Sequence, residues 1–330
     1  MIFEYAVDLE FIEEISKLDF LCDYFEEEEW GPGKHRFCLD LALFQNADSI
    51  FDNIKLKGIQ KERFCEYVRM LRSASKVKRN LDLIEWDSQK KWVDNLYRIN
   101  KTFADFPVRM AFSKNKKKKC PYYTVHDMKN RTSDKKLKNQ IKKLWYCDEN
   151  KLIDRSSKNL VDRLMLFLCA SKKIVCVDPY FNSSNHDNYF PVFTEIFKVI
   201  TEFGYYFHSS REFVIVSKNE IRNYPEFWKN LEKFYVGRLP ENTSLRMILA
   251  EDGAKEKLHD RYILSELGGV RFPGGIAQRP SEDTWKMSLL DRSQWEAMYK
   301  NYCMFNQDSY RDSDGPKIVK SKFFKSKSNQ

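Results

Sequence analysis

Apolar and polar residues follow two different rhythms along this chain of 330 residues, and the change falls near residue 150. Upstream, Ile59 to Ser75 and Asp87 to Ile99 place apolar residues at helical intervals, with Phe64, Val68 and Leu71 marking the stripe in the first. One short strand is expected at Val108 to Phe112. Downstream, helices and strands alternate. Asn159 to Cys169, Phe190 to Phe203 and Pro225 to Phe234 read as helices. Lys173 to Phe181 reads as a fully buried strand halted at Pro179, with further strands at Glu212 to Val216, Ser244 to Ala250, Leu258 to Leu264 and Val270 to Phe272. Strands separated by helices of this length imply a sheet with helices packed on it. The predicted fold is α/β, a mixed sheet with flanking helices over 151–310. A mainly helical domain over 1–150 precedes it, and a basic, flexible tail rich in Lys and Ser over 311–330 follows.

Two domains also suit the length, because single cores stop growing at about 250–300 residues. Hydrophobic residues make up 42% and aromatics 15%, as in a soluble globular protein rich in rings. No apolar run reaches the roughly 18–20 residues of a membrane helix, and an N-terminus holding Glu4, Asp8 and Glu10 lacks the basic start of a secretory signal. A cytoplasmic location without integral membrane association is expected. The eight cysteines contain no C-x-x-C pair, which argues against a zinc knuckle and a disulfide scaffold. Cys169 and Cys176 lie in apolar runs and read as core. With no H-E-x-x-H or paired-carboxylate cluster, neither a metal nor a cofactor is expected.

The net charge of +9 is unevenly spread. Residues 1–30 hold eleven acids against Lys17, whereas 111–145 hold twelve Lys or Arg against Asp127 and Asp134. Within that basic block, Lys116, Lys117, Lys118, Lys119, Lys142 and Lys143 can track a polyphosphate backbone, with Tyr122, Tyr123, Trp145 and Tyr146 offering stacking surfaces. The same run also reads as a solvated loop, the commoner fate of a lysine run.

Chemistry concentrates downstream. His259 and Arg261, two residues apart on an expected strand, project from one face about 7 Å apart at roughly 3.3 Å per residue. An imidazole beside a permanent cation suits the attack or grip of a phosphodiester. The plainer reading makes His259 a core residue bonded to backbone and Asp260 a surface partner. Asp178 lies at the end of a buried strand, where it either lines a ligand crevice or caps the following turn. Tyr180 and Phe181 read as packing.

These residues carry a resemblance. His259-x-Arg261-x4-Glu266 resembles the H-x-K-x4-D signature of the phospholipase D superfamily, in a compact variant with arginine for lysine. Leu258 to Glu266, then Gly268-Gly269, then Phe272-Pro273-Gly274-Gly275-Ile276 are similar to that variant's motif, and Val177-Asp178-Pro179-Tyr180-Phe181 to its strand-ending D-P-Y. Trp285 to Leu290 and the helix-like Ser293 to Phe305 resemble its closing elements. The match covers roughly 155–306. Glu266 for aspartate, Pro273 for glycine and Ala277 for an acid depart from the pattern. The group includes phospholipase D-like proteins of prokaryotic defence loci and the membrane-binding C-terminal domain of MIT-domain proteins.

The resemblance implies a phospholipase D-like sandwich and a metal-independent phosphodiesterase, a nuclease acting on DNA or RNA through a phosphohistidine in an antiviral defence setting. His259 would be nucleophile or acid, Arg261 the phosphate clamp and Glu266 the orienting carboxylate, with Asp178, Tyr180, Gly268 and Gly269 in support. Because no other histidine is followed two residues later by Lys or Arg, a complete site would need a homodimer. The alternative is a catalytically inactive module that binds nucleic acid, anionic lipid or a partner protein, including other proteins of a defence system.

Overall fold

The computed structural model describes residues 4–7, 13, 16–17, 37–39, 55–74, 92–102, 110–112, 122–123, 153–182, 186–252, 258–278, 284–285, 287–303 and 317–326. The chain divides into two compact units, Ile2–Cys147 and Asp148–Gln330.

The first unit holds strands β1 (Glu4–Val7), β2 (Phe37–Leu39), β3 (Met110–Phe112) and β4 (Tyr122–Tyr123), and helices α1 (Ile59–Ala74) and α2 (Trp92–Thr102). The strands form a parallel sheet of order β2-β1-β3-β4, with Tyr5 opposite both Cys38 and Met110. Both helices fall where the periodicity puts them, burying Phe64, Leu96 and Ile99, and β3 lies within the strand expected at Val108 to Phe112. Beside these helices the described residues hold a small parallel sheet, of which only β3 was expected. Strands of two to four residues are too short for alternation to show in sequence. Lys116–Lys119, Lys142 and Lys143 lie outside the described residues.

The second unit is mixed α/β. Its elements are β5 (Ile153–Asp154), α3 (Ser157–Ala170), β6 (Lys173–Val177), α4 (His186–Phe203), β7 (Arg211–Lys218), α5 (Tyr224–Phe234), β8 (Thr243–Glu251), β9 (Tyr262–Ser265), β10 (Gly268–Arg271), β11 (Thr284–Trp285), β12 (Ser288–Leu289), α6 (Arg292–Tyr302) and β13 (Lys317–Lys325). Seven strands form one sheet of order β12-β10-β9-β6-β7-β8-β13. The central β6, β7 and β8 run parallel, and β9, β10, β12 and β13 add antiparallel strands at the flanks.

Strands β6 and β7 are buried on both faces, which explains their continuous apolar runs. On one face Phe213 meets Phe193 and Phe197 of α4 edge-on, at 5.7 and 5.2 Å between ring centroids. On the other, Val214, Val216, Val175, Val177 and Leu264 pack with Trp295 and Tyr302 of α6. Helix α3 begins where Ser156 accepts a hydrogen bond from the Asn159 amide, and α5 where Asn223 accepts one from Glu226. Cys169 and Cys176 are core residues, and burial pushes the Cys169 thiol up to about 12.

The tail departs from expectation. Residues 317–325 are not a flexible extension but the strand β13, paired with β8 from Lys317–Glu251 to Lys325–Ser244. Its lysines are what an edge strand uses against further pairing, and they resemble a disordered tail in composition alone. No helix among the described residues is long and apolar enough to cross a membrane.

Candidate functional site

The parallel strands β6 and β7 end at a crevice, and β6 delivers Asp178 to it. The Asp178 amide continues the sheet by donating to the Val216 carbonyl at 3.0 Å, and its side chain then turns inward, 3% exposed. Its Oδ1 accepts from the Tyr180 amide at 3.0 Å and Oδ2 from the Ile276 amide at 3.2 Å, while the Tyr189 hydroxyl also bonds to it. Both readings of Asp178 therefore hold: it caps its own turn and it lines the crevice. Burial raises its pKa above the ordinary carboxylate value, against these hydrogen bonds and the nearby Arg261 charge, which pull it down.

Around Asp178 is a cavity of about 330 Å³ lined by, among others, Arg155, Tyr180, Tyr189, Arg261 and Gly275. Arg155, 5% exposed, donates through Nη2 to the carbonyls of Gly274 at 2.7 Å and Ala277 at 3.0 Å, tying the 273–277 loop to the start of α3. Gly275 has φ +92°, a conformation that excludes most side chains, so this loop position needs glycine. Arg261 comes from just before β9. Its Nη1 donates to the Pro273 carbonyl at 3.1 Å, and its guanidinium carbon lies 4.8 Å from the centroid of the Tyr180 ring. Its Nε is buried and has no hydrogen-bond partner among the described residues. Two guanidinium groups and one carboxylate leave this hollow with a positive balance, the setting for a bound anion.

His259 is not part of that lining. The strand expected from Leu258 begins only at Tyr262, so Leu258 and His259 form a turn and the alternation that would align His259 with Arg261 does not apply. The His259 side chain is 75% exposed, with Nδ1 3.5 Å from Asp260 Oδ1. Asp260 in turn is held through Oδ2 by the Tyr262 hydroxyl and by Arg271 Nη2, each at 2.9 Å. Burial pushes the Asp260 carboxyl up, but these bonds outweigh it and hold the pKa below the usual value. The core reading of His259 is thus also set aside: its ring faces outward.

Glu266 is corrected as the orienting carboxylate. It sits in the β9–β10 turn and accepts from the backbone amides of Lys172 and Lys173, at 2.5 and 3.1 Å. The whole of β9 separates it from Arg261, five residues away, about 16 Å at roughly 3.3 Å per residue. The x4 spacing spans the strand rather than returning to the site. Gly268 and Gly269 lie in the same hairpin and do not line the cavity. A Cβ on Gly269 would come within 2.6 Å of Leu264 Cδ2 and 2.8 Å of Leu290 Cδ1, so this glycine serves packing. Tyr180, expected to pack, is 56% exposed, whereas Phe181 is the buried one.

A larger hollow of about 900 Å³ lies at the other end of the sheet and includes Glu266 and Arg211. Arg211 spends its guanidinium on the carbonyls of Ser171, His208, Cys169 and Gly204, so its role there is to hold the fold. Among the described residues no group of three or more His, Cys, Asp or Glu is arranged to hold a metal ion.

Arg155 and Tyr189 were not singled out by sequence. Arg155 sits 119 residues from the carbonyl it binds on Gly274, and no local pattern marks either residue. The Ser156 cap marks only the start of a helix, and Gly274-Gly275 only a loop. No protein-family model, curated protein or solved structure matches this chain.

Proposed function

We propose that the second unit is a phospholipase D-like module that recognises a phosphate-bearing ligand in the Asp178–Arg261 cavity, and that a single chain binds without turning the ligand over. The observation that carries this reading is the division between the two motif residues. Arg261 enters the cavity with a buried, unpartnered Nε, while His259 stays outside it in solvent. A guanidinium fork matches a phosphate's oxygens, and the second cation, Arg155, sets the cavity's wall and its charge. The resemblance of 258–276 to the phospholipase D motif supports the same ligand class. Binding of a fluorescent phosphorylated oligonucleotide to the full chain should weaken with added salt, fall in Arg261→Ala and hold in His259→Ala, with no cleavage. Equal binding by Arg261→Ala and the native chain would remove the cavity from the account.

A second reading, a metal-independent phosphodiesterase acting as a homodimer, draws on the exposed His259 and the Asp260 beside it. A fixed carboxylate next to an accessible imidazole can orient the ring toward phosphorus once another copy supplies the second histidine. Cleavage of DNA or RNA in excess EDTA, lost in His259→Ala with the fold retained, would establish it over the binding module.

A further inference from the structure

Tyr180 is a large ring kept in solvent between neighbours that are buried. Asp178 is 3% exposed and Phe181 1%, whereas Tyr180 is 56% exposed. Its backbone is pinned on both sides. The Tyr180 amide donates to Asp178 Oδ1, the Phe181 amide donates to the Asp178 carbonyl at 3.0 Å, and the Phe181 ring is wedged edge-on among Tyr189, Phe193 and Tyr235 at 5.2 to 5.6 Å. The ring is placed where it is by a rigid turn at the rim of the cationic cavity. The Arg261 guanidinium lies over the ring, and more than half of the residue still meets solvent. Leaving such a surface wet forgoes the gain of burying it, which is recovered when a flat ligand group covers it.

We propose that Tyr180 is a stacking platform for a nucleobase and that the cavity's ligand is a nucleotide with an unpaired base, as in a single strand or a strand end. This rests on the reading of the Arg261 cavity as a phosphate site and names the class of molecule that carries the phosphate. Three features favour it. The platform and the guanidinium are in contact, so a phosphate on Arg261 brings its own base to the ring. The cavity, about 330 Å³, is at the small end of the range of about 300–1,000 Å³ for small-ligand sites and suits one nucleotide. A base inside a duplex has both faces covered by its neighbours and offers none to Tyr180, and a lipid headgroup has no aromatic face.

The test compares a labelled thymidine dodecamer with an abasic dodecamer of equal charge, by fluorescence anisotropy on the full chain. The thymidine strand should bind about 5- to 150-fold more tightly, the worth of one base stacked on an aromatic side chain. Tyr180→Ala should close that gap by weakening the thymidine strand far more than the abasic one, Tyr180→Phe should preserve the gap, and Arg261→Ala should weaken both strands together. Equal affinity for the two strands, with both still dependent on Arg261, overturns the stacking proposal while the phosphate site stands. Indifference of both strands to Arg261→Ala overturns the phosphate site and the proposal with it. Tighter Arg261-dependent binding to phosphatidylserine vesicles than to the thymidine strand assigns the cavity to a lipid and also overturns the proposal.

Discussion

Removing the Arg261 side chain should destabilise the second unit more at high pH than at low pH. Arg261→Ala deletes the hydrogen bond to the Pro273 carbonyl and the contact with the Tyr180 ring. A hydrogen bond from a charged donor contributes about 1.5–3 kcal/mol, and a partly exposed cation–π contact about 0.5–1 kcal/mol. Relaxation and water access make a total of about 1–3 kcal/mol the reasonable expectation. The pH dependence comes from Asp178. Its folded-state pKa is raised by burial, and Arg261 is one of the groups that limit the rise. For a carboxyl whose folded pKa exceeds its unfolded value, the contribution to stability is full below the unfolded pKa and is lost as pH rises through the folded one. Without Arg261 the folded pKa rises further, so the window of loss extends upward from the ordinary carboxylate range. Each further unit corresponds to about 1.4 kcal/mol at pH values above both pKa values. Urea unfolding of native chain and variant at about pH 3, below the ordinary carboxylate range, and at about pH 8 measures the difference. An identical loss of stability at both pH values would refute the placement of Arg261 beside a buried Asp178.

Other consequences concern the hairpin and the loop. Gly269→Ala should cost about 1–3 kcal/mol by overpacking against Leu264 and Leu290, seen as a lower urea midpoint with an unchanged slope. Glu266→Ala should lower stability by about 1–2 kcal/mol through loss of the acceptor for the Lys172 and Lys173 amides, yet leave Arg261-dependent binding unchanged; a binding defect without a stability defect would return Glu266 to the site. Gly275→Ala, forced toward φ +92°, should cost about 1–2 kcal/mol and, by shifting the 273–277 loop, weaken phosphate-ligand binding in the same titration.

The succession of elements in the second unit was legible in the pattern of apolar positions. Helices α3, α4 and α5 and strands β6, β7 and β8 stand within a few residues of where periodicity put them, because each buries its apolar positions at its own repeat. Asp178 was also readable, since a carboxylate two residues before an amide it can cap is a local arrangement. Tertiary structure decided the rest. The parallel sheet of the first unit and the pairing of β13 with β8 depend on partners distant in sequence, and very short or lysine-rich strands carry little periodic signal of their own. It also separated the motif: a strand that starts at Tyr262 rather than Leu258 leaves Arg261 in the cavity, His259 in solvent and Glu266 at the far end of β9. Arg155 joined the site from another segment altogether. A cavity assembled from one residue per segment has no spacing to be read, and only the folded chain brings its charges together.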